Sequence, residues 1–449
     1  MGANEERNGG SRELPVMDGL GPPLADASIE PVALPGDAAA NPEETSFIEL
    51  PRVARALRHR DFRLFWSGNL LSNIGTWMQN IAQGWLVLTL TNSAFWLGVV
   101  GFAASAPIVV FALIGGVIAD HVDKRKLLMV TQSAMMVFAF IMAGLTLWKI
   151  NVYEIVLLAL GTGIAMSLNT PSYQALVPQL VPREDLTNAI ALNSAQFNMS
   201  RVVGPTLGSF AMALVGIAGN FFLNGLSFLA VIVALTRIRY RQPAVSQEGH
   251  LWQKLKEGFS YVFHHGKISS LVVLVGIGSL LAVPYLTFVP YFARDVLHRD
   301  ERGLGILMAC SGVGSFFGAV TIAYFTHIRR RGKFVVRGGA GLFAAIIAFT
   351  FSRNFWLSGL FLMAAGYLMI IMVATINSLL QHLAEDHMRG RVMSIYSTAF
   401  LGLPPIGCLI AGSLSRLITP AHAIAGMASV ALVATLAVFM GMRELRELD

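Results

Sequence analysis

The feature that most constrains this chain is a run of 56 residues, 64–119, without a single Asp, Glu, Lys or Arg. A helix that crosses a membrane needs roughly 20 apolar residues. The run is therefore long enough for two crossings and a turn, which we place near Thr91 to Ala94. A buried helix of a soluble protein would rarely continue half as far without a polar face. The run predicts a membrane protein.

The rest of the chain repeats this pattern. Charged residues make up 13% of the sequence, about half of the ~25% that is typical of soluble domains, and they lie in short groups between apolar runs. Because a lipid-exposed backbone must satisfy its own hydrogen bonds, each run is interpreted as an α-helix. The sequence predicts an all-α membrane protein with about twelve transmembrane helices.

Basic residues indicate the orientation. With both termini inside, the cytoplasmic segments hold 26 of the 33 Lys and Arg residues, the outer segments hold six, and Arg201 is the remaining one. Cytoplasmic loops are enriched in Lys and Arg, so both termini are predicted to be cytoplasmic. Topology also explains the net charge of +7. Nucleic acid is not expected as a partner, because the basic residues interrupt apolar runs and do not form a folded basic surface.

Short segments recur about 205 residues apart. Leu97–Val99 matches Leu304–Ile306, and the basic loops 124–126 and 331–333 follow at the same offset of 207. Duplicated bundles around a central site are a common transporter design, and we predict two pseudo-symmetric six-helix bundles. The predicted divisions are a disordered cytoplasmic tail (1–50), the first bundle (51–237), a cytoplasmic linker with an amphipathic helix (238–267), the second bundle (268–441) and a short cytoplasmic tail (442–449).

The segment between the second and third predicted spans resembles the loop signature of the major facilitator superfamily, GxxxD(R/K)xG(R/K)(R/K), although His121 and Asp123 depart from it. The matching positions are Gly116, Asp120, Lys124 and Arg125. The resemblance implies a cytoplasmic gate, in which the Asp120 carboxylate pairs with a cation or with a helix N-terminus near Arg389 and Arg391. A basic loop that serves topology alone is the alternative.

A second resemblance lies in the predicted span 187–215, where Gly204 to Ser209 is similar to the GPxxGG end of the superfamily's antiporter motif. Gly204 and Gly208 lie one turn apart and allow a neighbouring helix to approach, and Pro205 removes a backbone donor. A charge at Arg201 costs about 2.5–3.5 kcal/mol at mid-membrane. We therefore expect Arg201 to face a cavity or a partner, unless it snorkels from the inner end. Tight packing alone is the alternative for the glycines.

The first predicted span carries a stripe of polar side chains at spacings of three and four residues. Such a stripe should face the protein interior, where it could line a solute path or bond helices together. Neutral amides beside Trp77 and Trp85 suit a bulky, partly apolar solute. The stripe consists of Asn69, Asn73, Thr76, Asn80 and Gln83.

Two carboxylates, Asp61 and Glu154, are the candidates for proton coupling, although both lie near predicted helix ends. Motifs of metalloproteases, serine hydrolases and nucleotide-binding loops are missing from the sequence. We therefore expect no enzyme, no cofactor and no metal site.

The start of the first span, Arg60 to Trp66 with Gly75 to Trp77, is similar to the superfamily's branch of siderophore and macrolide exporters. The resemblance implies a monomeric secondary transporter of the bacterial inner membrane, whose partners are the lipid bilayer, a small molecule and protons. The predicted function is export of a small amphiphilic compound by proton antiport. The alternatives are uptake or lysolipid transport on the same scaffold, and a non-transporting membrane sensor.

Overall fold

The computed structural model describes residues 52–239, 251–324 and 331–441, and at 112–121, 251–256 and a few single positions it describes the backbone only. Both predicted tails and most of the linker before residue 251 lie outside these ranges. The described part is helical almost throughout. Its α-helices are α1 (Arg60–Thr91), α2 (Ala94–His121), α3 (Lys124–Leu147), α4 (Val152–Leu176), α5 (Leu186–Arg237), α6 (Leu251–His264), α7 (Gly266–Ile277), α8 (Tyr285–Tyr291), α9 (Glu301–Tyr324), α10 (Arg331–Phe351), α11 (Phe355–Leu383), α12 (Asp386–Gly402), α13 (Pro404–Leu414) and α14 (Pro420–Gly441).

Ten helical stretches within the described residues are long and apolar enough to cross a membrane. The prediction of an all-α membrane protein is thereby confirmed. Helix α1 is not among the ten, although it has 32 residues. The amide side chains of its polar stripe lower its mean hydropathy.

Helix α5 is 52 residues long, about 78 Å at 1.5 Å per residue, which is more than twice the hydrocarbon thickness. Gly216 breaks it, with φ 74° and ψ 174°, a conformation that is essentially restricted to glycine. The two segments run in opposite directions along α1. Gly204 and then Gly208 meet successive turns of α1 in the parallel sense, whereas the second segment passes α1 in the antiparallel sense from Gly75 back to Gly68.

Two other stretches are interrupted helices. In 266–296, α7 and α8 are joined by the π-helical segment Gly278–Ala282, and a second π-helical segment, Phe292–Val296, follows α8. In 386–414, α12 and α13 meet at Leu403, where Pro404 and Pro405 begin α13. A π-helical turn leaves the regular hydrogen-bond ladder and is frequently found at functional sites.

We call α1 to α5 the first set of helices and α7 to α14 the second set. In the first set α1 and α3 lie against α5, and α2 lies against α4; in the second set α10 packs on α11 and α14, and α9 packs on α11. The main contacts between the sets are those of α2 with α13 and of α5 with α9. Gly98 of α2 lies directly against Gly412 of α13, where a Cβ atom on Gly98 would be 2.8 Å from the Gly412 Cα.

Candidate functional site

A cavity of about 380 Å³ lies between helices α1 to α5 on one side and α8, α9 and α11 on the other. Its wall is mostly apolar, and its volume falls in the range of small-molecule pockets, ~300–1,000 Å³. The polar side chains on the wall are Thr76, Gln79, Asn80, Gln83, Ser105, Thr162, Arg201, Asn224, Tyr285, Thr287, Ser311 and Ser315.

Arg201 contributes the one charged side chain among the described residues that line this cavity. Its Nη2 atom lies 3.6 Å from the sulfur of Met369, and its guanidinium carbon lies 5.9 Å from the ring centroid of Trp77. No carboxylate within the described ranges forms an ion pair with Arg201. The structure thus places Arg201 at a cavity, one of the two environments that the sequence predicts.

The polar stripe of α1 divides between two surroundings. Thr76, Asn80 and Gln83 line the cavity. Asn69 and Asn73 are not among its lining residues, and Asn69 lies buried beside Tyr173 of α4. Asn69 therefore faces a neighbouring helix, which is the second of the two roles considered for the stripe.

Gln79 is a cavity residue that sequence reasoning missed. Its Oε1 atom accepts a 2.6 Å hydrogen bond from Nδ2 of Asn224, which joins α1 to the second segment of α5. Gln79 precedes the stripe residue Asn80 and so falls just off the three-and-four spacing. Two adjacent amide side chains inside an apolar helix are the signal that could have identified it.

Gly204 and Gly208 let α5 approach α1 closely. A Cβ atom on Gly204 would lie 2.5 Å from the Cβ of Trp77, and one on Gly208 would lie 2.7 Å from the Cα of Met78. Pro205, between them, lines the cavity. The glycines therefore hold α5 against α1 at the height where Arg201 and Trp77 meet.

The predicted gate is described in part. Gly116 and Asp120 lie in α2, and their side chains fall outside the described residues. Lys124 begins α3, and Arg125 donates from Nη2 to the carbonyl oxygen of Thr236 at 2.9 Å. A role that the sequence did not reveal belongs to Asp123, which caps α3 by accepting the N–H of Lys126 at 3.1 Å.

The cations expected opposite Asp120 have other partners in this structure. Arg389 lies 2.7 Å from a carboxylate oxygen of Asp386, and Arg391 lies 2.8 Å from one of Glu257 in α6. Both pairs are partly exposed and stabilise little on their own. The pair of Arg391 with Glu257 does join the amphipathic helix α6 to the start of α12, whereas Arg389 and Asp386 both belong to α12.

Neither candidate for proton coupling is among the cavity residues. Asp61 accepts the backbone N–H of Arg239 at 3.2 Å and lies 3.8 Å from Arg60. Glu154 accepts the N–H of Asn151 at 2.9 Å, while Asn151 accepts the N–H of Glu154 at 3.0 Å. Glu154 thus forms the capping box of α4.

The two sets of helices contact each other beyond one end of the cavity, which we call the predicted outer end because it carries the α1–α2 turn at Asn92. There Arg294 donates from Nη2 to Oδ1 of Asn92 at 3.0 Å, and the Arg416 guanidinium lies 3.8 Å from the ring centroid of Phe95. Toward the opposite end, exposed polar side chains lie on α5 and α12, where facing lipid would be unfavourable. They include Ser194, Asn198, Ser394, Ser397 and Thr398.

A helical membrane protein with a cavity between two sets of helices has an arrangement that is common among solute transporters. The chain is a member of the transmembrane secretion effector family, whose model matches residues 54–449. It is therefore a major facilitator superfamily transporter of the siderophore and drug exporter branch, and a multi-pass protein of the bacterial plasma membrane. This family consists of transporters and is not an enzyme class.

Two named relatives illustrate the branch. The staphyloferrin A transporter of Staphylococcus aureus is 24% identical over 267 residues, which is 58% of this chain and 66% of that relative, just under two thirds of its length. The enterobactin exporter EntS of Citrobacter koseri is 25% identical over 365 residues, covering 81% of this chain and 87% of the relative.

Solved structures share the fold at low sequence identity. The nucleoside transporter NupG, as its D323A mutant, superposes with a TM-score of 0.68 at 13% identity, over 84% of this chain and 99% of that one. A bacterial homologue of the iron transporter ferroportin in an inward-facing state superposes with a TM-score of 0.66 at 16% identity, over 86% of this chain and 99% of that one. These likenesses show the fold alone.

Proposed function

We propose that this chain exports a small amphiphilic compound, drug-like or siderophore-like, by alternating access. The observation that carries the proposal is the position of the cavity, whose wall is shared by helices α1 to α5 with α8, α9 and α11. A site between two rigid sets of helices can face either side of the membrane when one set rocks against the other. Two relatives named as transporters of siderophores, one of them an exporter, support the solute class and the direction.

The architecture that goes with this mechanism is twelve crossings by a monomer. The two antiparallel segments of α5 account for two crossings. Helix α1 adds one more, although its amide side chains keep its hydropathy low. Together with the nine remaining stretches, these form two six-helix bundles, 51–237 and 268–441. An even number of crossings places both termini on one side, and the distribution of Lys and Arg makes that side the cytoplasm.

Fusions of alkaline phosphatase and a fluorescent protein test this topology. We expect phosphatase activity from fusions after Lys149 and after Arg416, and fluorescence from fusions after Arg183 and at the C-terminus. Phosphatase activity from the C-terminal fusion would contradict the even number of crossings.

Proton exchange is the energy source that we propose for export. Because no carboxylate or imidazole is among the described residues that line the cavity, the proton would be carried outside it. Asp61 is the stronger of the two candidates. Its carboxylate joins α1 to the end of α5 through the Arg239 N–H, so its charge is coupled to the packing of a moving bundle, whereas Glu154 is occupied as a helix cap.

Everted membrane vesicles test direction and coupling together. We expect vesicles that contain the protein to accumulate N-phenyl-1-naphthylamine, a neutral fluorescent amphiphile, and to accumulate more of it when the lumen is made acidic. Accumulation that is independent of the pH gradient would contradict proton exchange and leave export standing. Protein-dependent depletion of the probe from the lumen would assign the chain to uptake.

A further inference from the structure

We propose that Arg201 is an anion-binding residue at the centre of the cavity. The compound that the protein carries would then have an acidic group, such as a carboxylate, sulfonate or phosphate, on an aromatic or apolar body. This inference names the substrate class for the proposed export and rests on it.

Arg201 brings an isolated charge to the cavity. Arg201 is the single charged side chain among the described residues that line the cavity, and its Nη2 atom lies 3.6 Å from the weakly accepting sulfur of Met369. An arginine cannot shed its proton in a protein. A permanent charge inside the membrane region is retained where it serves a pathway or a ligand. A bound anion would neutralise it.

Tyr285 provides a second polar group on the wall of the cavity. The hydroxyl group of Tyr285 in α8 is buried near Ser311 of α9, yet it makes no hydrogen bond of good geometry within the described residues. It lies close enough to Arg201 for an electrostatic interaction. A guanidinium and a hydroxyl on the wall of one cavity supply donors of the kind that an oxyanion accepts, and hydrogen bonds to charged groups are the strong ones.

These donors come from both sides of the cavity. Arg201 belongs to the first set of helices, whereas Tyr285 and Ser311 belong to the second. One oxyanion could therefore bridge the two sets, which gives the ligand a direct way to influence their relative position.

The remaining wall suits an apolar body. Trp77 stands beside the guanidinium, and the rest of the lining is rich in aliphatic side chains such as Leu97, Val100 and Met308. The amides of Gln79 and Asn224 are hydrogen-bonded to each other, so they need few hydrogen bonds from a ligand. A single acidic group on an aromatic framework matches this distribution of one charge and much apolar surface.

The experiment compares two fluorescent probes with the same aromatic framework: 8-anilino-1-naphthalenesulfonate, which carries one sulfonate, and N-phenyl-1-naphthylamine, which carries none. Binding is measured with the full-length protein in nanodiscs of phosphatidylcholine. We expect Arg201→Met to weaken the sulfonate at least about tenfold and to change the neutral probe less than about twofold. Arg201→Lys, which keeps the charge and loses the planar fork, should fall between the wild type and Arg201→Met.

Arg299→Met is the matched control. Arg299 also lies over an aromatic ring, with its guanidinium carbon 5.0 Å from the Phe355 centroid, but it does not line the cavity. This variant should bind both probes as the wild type does. Equal losses of the two probes in Arg201→Met, or no binding of the sulfonate by the wild type, would overturn the inference.

The same probes separate this inference from the export proposal. Protein-dependent accumulation of the neutral probe in everted vesicles, without selective sulfonate binding, would leave export standing and remove the anion site. Arg201-dependent sulfonate binding without movement of either probe would do the reverse. A soluble anion and a lipid phosphate share the proposed chemistry, so binding is repeated with phosphatidylglycerol in the nanodisc. Displacement of the sulfonate assigns the site to a lipid headgroup, and unchanged binding assigns it to a soluble solute.

Discussion

Gly204 and Gly208 connect a sequence pattern to the shape of the cavity. Both could be recognised from sequence as a small-residue face, because a spacing of four residues places them on one side of a helix. Their partner could not be recognised, since which helix fills the groove depends on contacts between distant parts of the chain. The structure identifies that partner as α1 at Trp77 and Met78.

A methyl group at this contact should be costly. We expect Gly208→Ala to destabilise the folded protein by about 1–3 kcal/mol, because the added Cβ meets the backbone of Met78 and overpacks the contact. Gly144→Ala is the control, since a Cβ atom there meets nothing within 4 Å. Thermal unfolding in detergent compares the two variants. Equal melting temperatures would mean that α1 and α5 are not held at this distance.

The gate assigned to Asp120 is tested by removing its charge at constant size. Asp120→Asn should insert normally and accumulate the neutral probe in everted vesicles several-fold more slowly, because the amide cannot balance a cation as the carboxylate does. Asp123→Asn is a matched control three residues away. Its side chain caps α3, and Asn and Asp cap helices about equally well. Wild-type rates in Asp120→Asn would remove the gate from the mechanism.

At the scale of elements, α1 shows where sequence reasoning succeeds and where it stops. The periodicity of its amides predicts one polar face, and Thr76, Asn80 and Gln83 do lie on the cavity wall. The same periodicity cannot tell a cavity from a neighbouring helix. Asn69 consequently ends beside Tyr173, because α4 covers α1 at that height.

The hairpin inside α5 depends on Gly216. Its backbone conformation, φ 74° and ψ 174°, costs a residue with a Cβ about 1–3 kcal/mol. We expect Gly216→Ala to lower the thermal stability in detergent accordingly. Gly426→Ala in α14, where a Cβ also meets nothing within 4 Å and φ is not positive, should remain near the wild type. An unchanged melting temperature in Gly216→Ala would show that the two segments do not turn at this residue.

At the scale of the whole molecule, the scarcity of charge predicts a helical membrane protein and the basic residues predict its orientation. The end at which the two sets of helices meet could not be predicted. Under the alternating access that we propose, one sequence adopts both states, so the state depends on packing between distant glycines such as Gly98 and Gly412 and cannot be predicted from a local pattern. The structure shows contact at the predicted outer end.

Widening that contact should expose the buried thiol of Cys408, which lies 3.5 Å from the Thr287 hydroxyl. In a Cys310→Ala background, we expect Gly412→Val to increase labelling of Cys408 by a membrane-impermeant maleimide added outside the cell, because the valine side chain meets the backbone of Phe95 and Gly98. Gly426→Val is the control and should label as the parent does. Equal labelling of both variants would mean that this contact does not close the outer end.

The partition of donors between the two sets of helices has a pharmacological consequence. A molecule that binds Arg201 and Tyr285 at once with high affinity would hold the two bundles together. Its dissociation would then limit the rate of each transport cycle. A compound that is transported rapidly must therefore bind weakly. The tightest-fitting acidic aromatic compounds should act as blockers, and potency as an inhibitor should rise as the rate of passage falls.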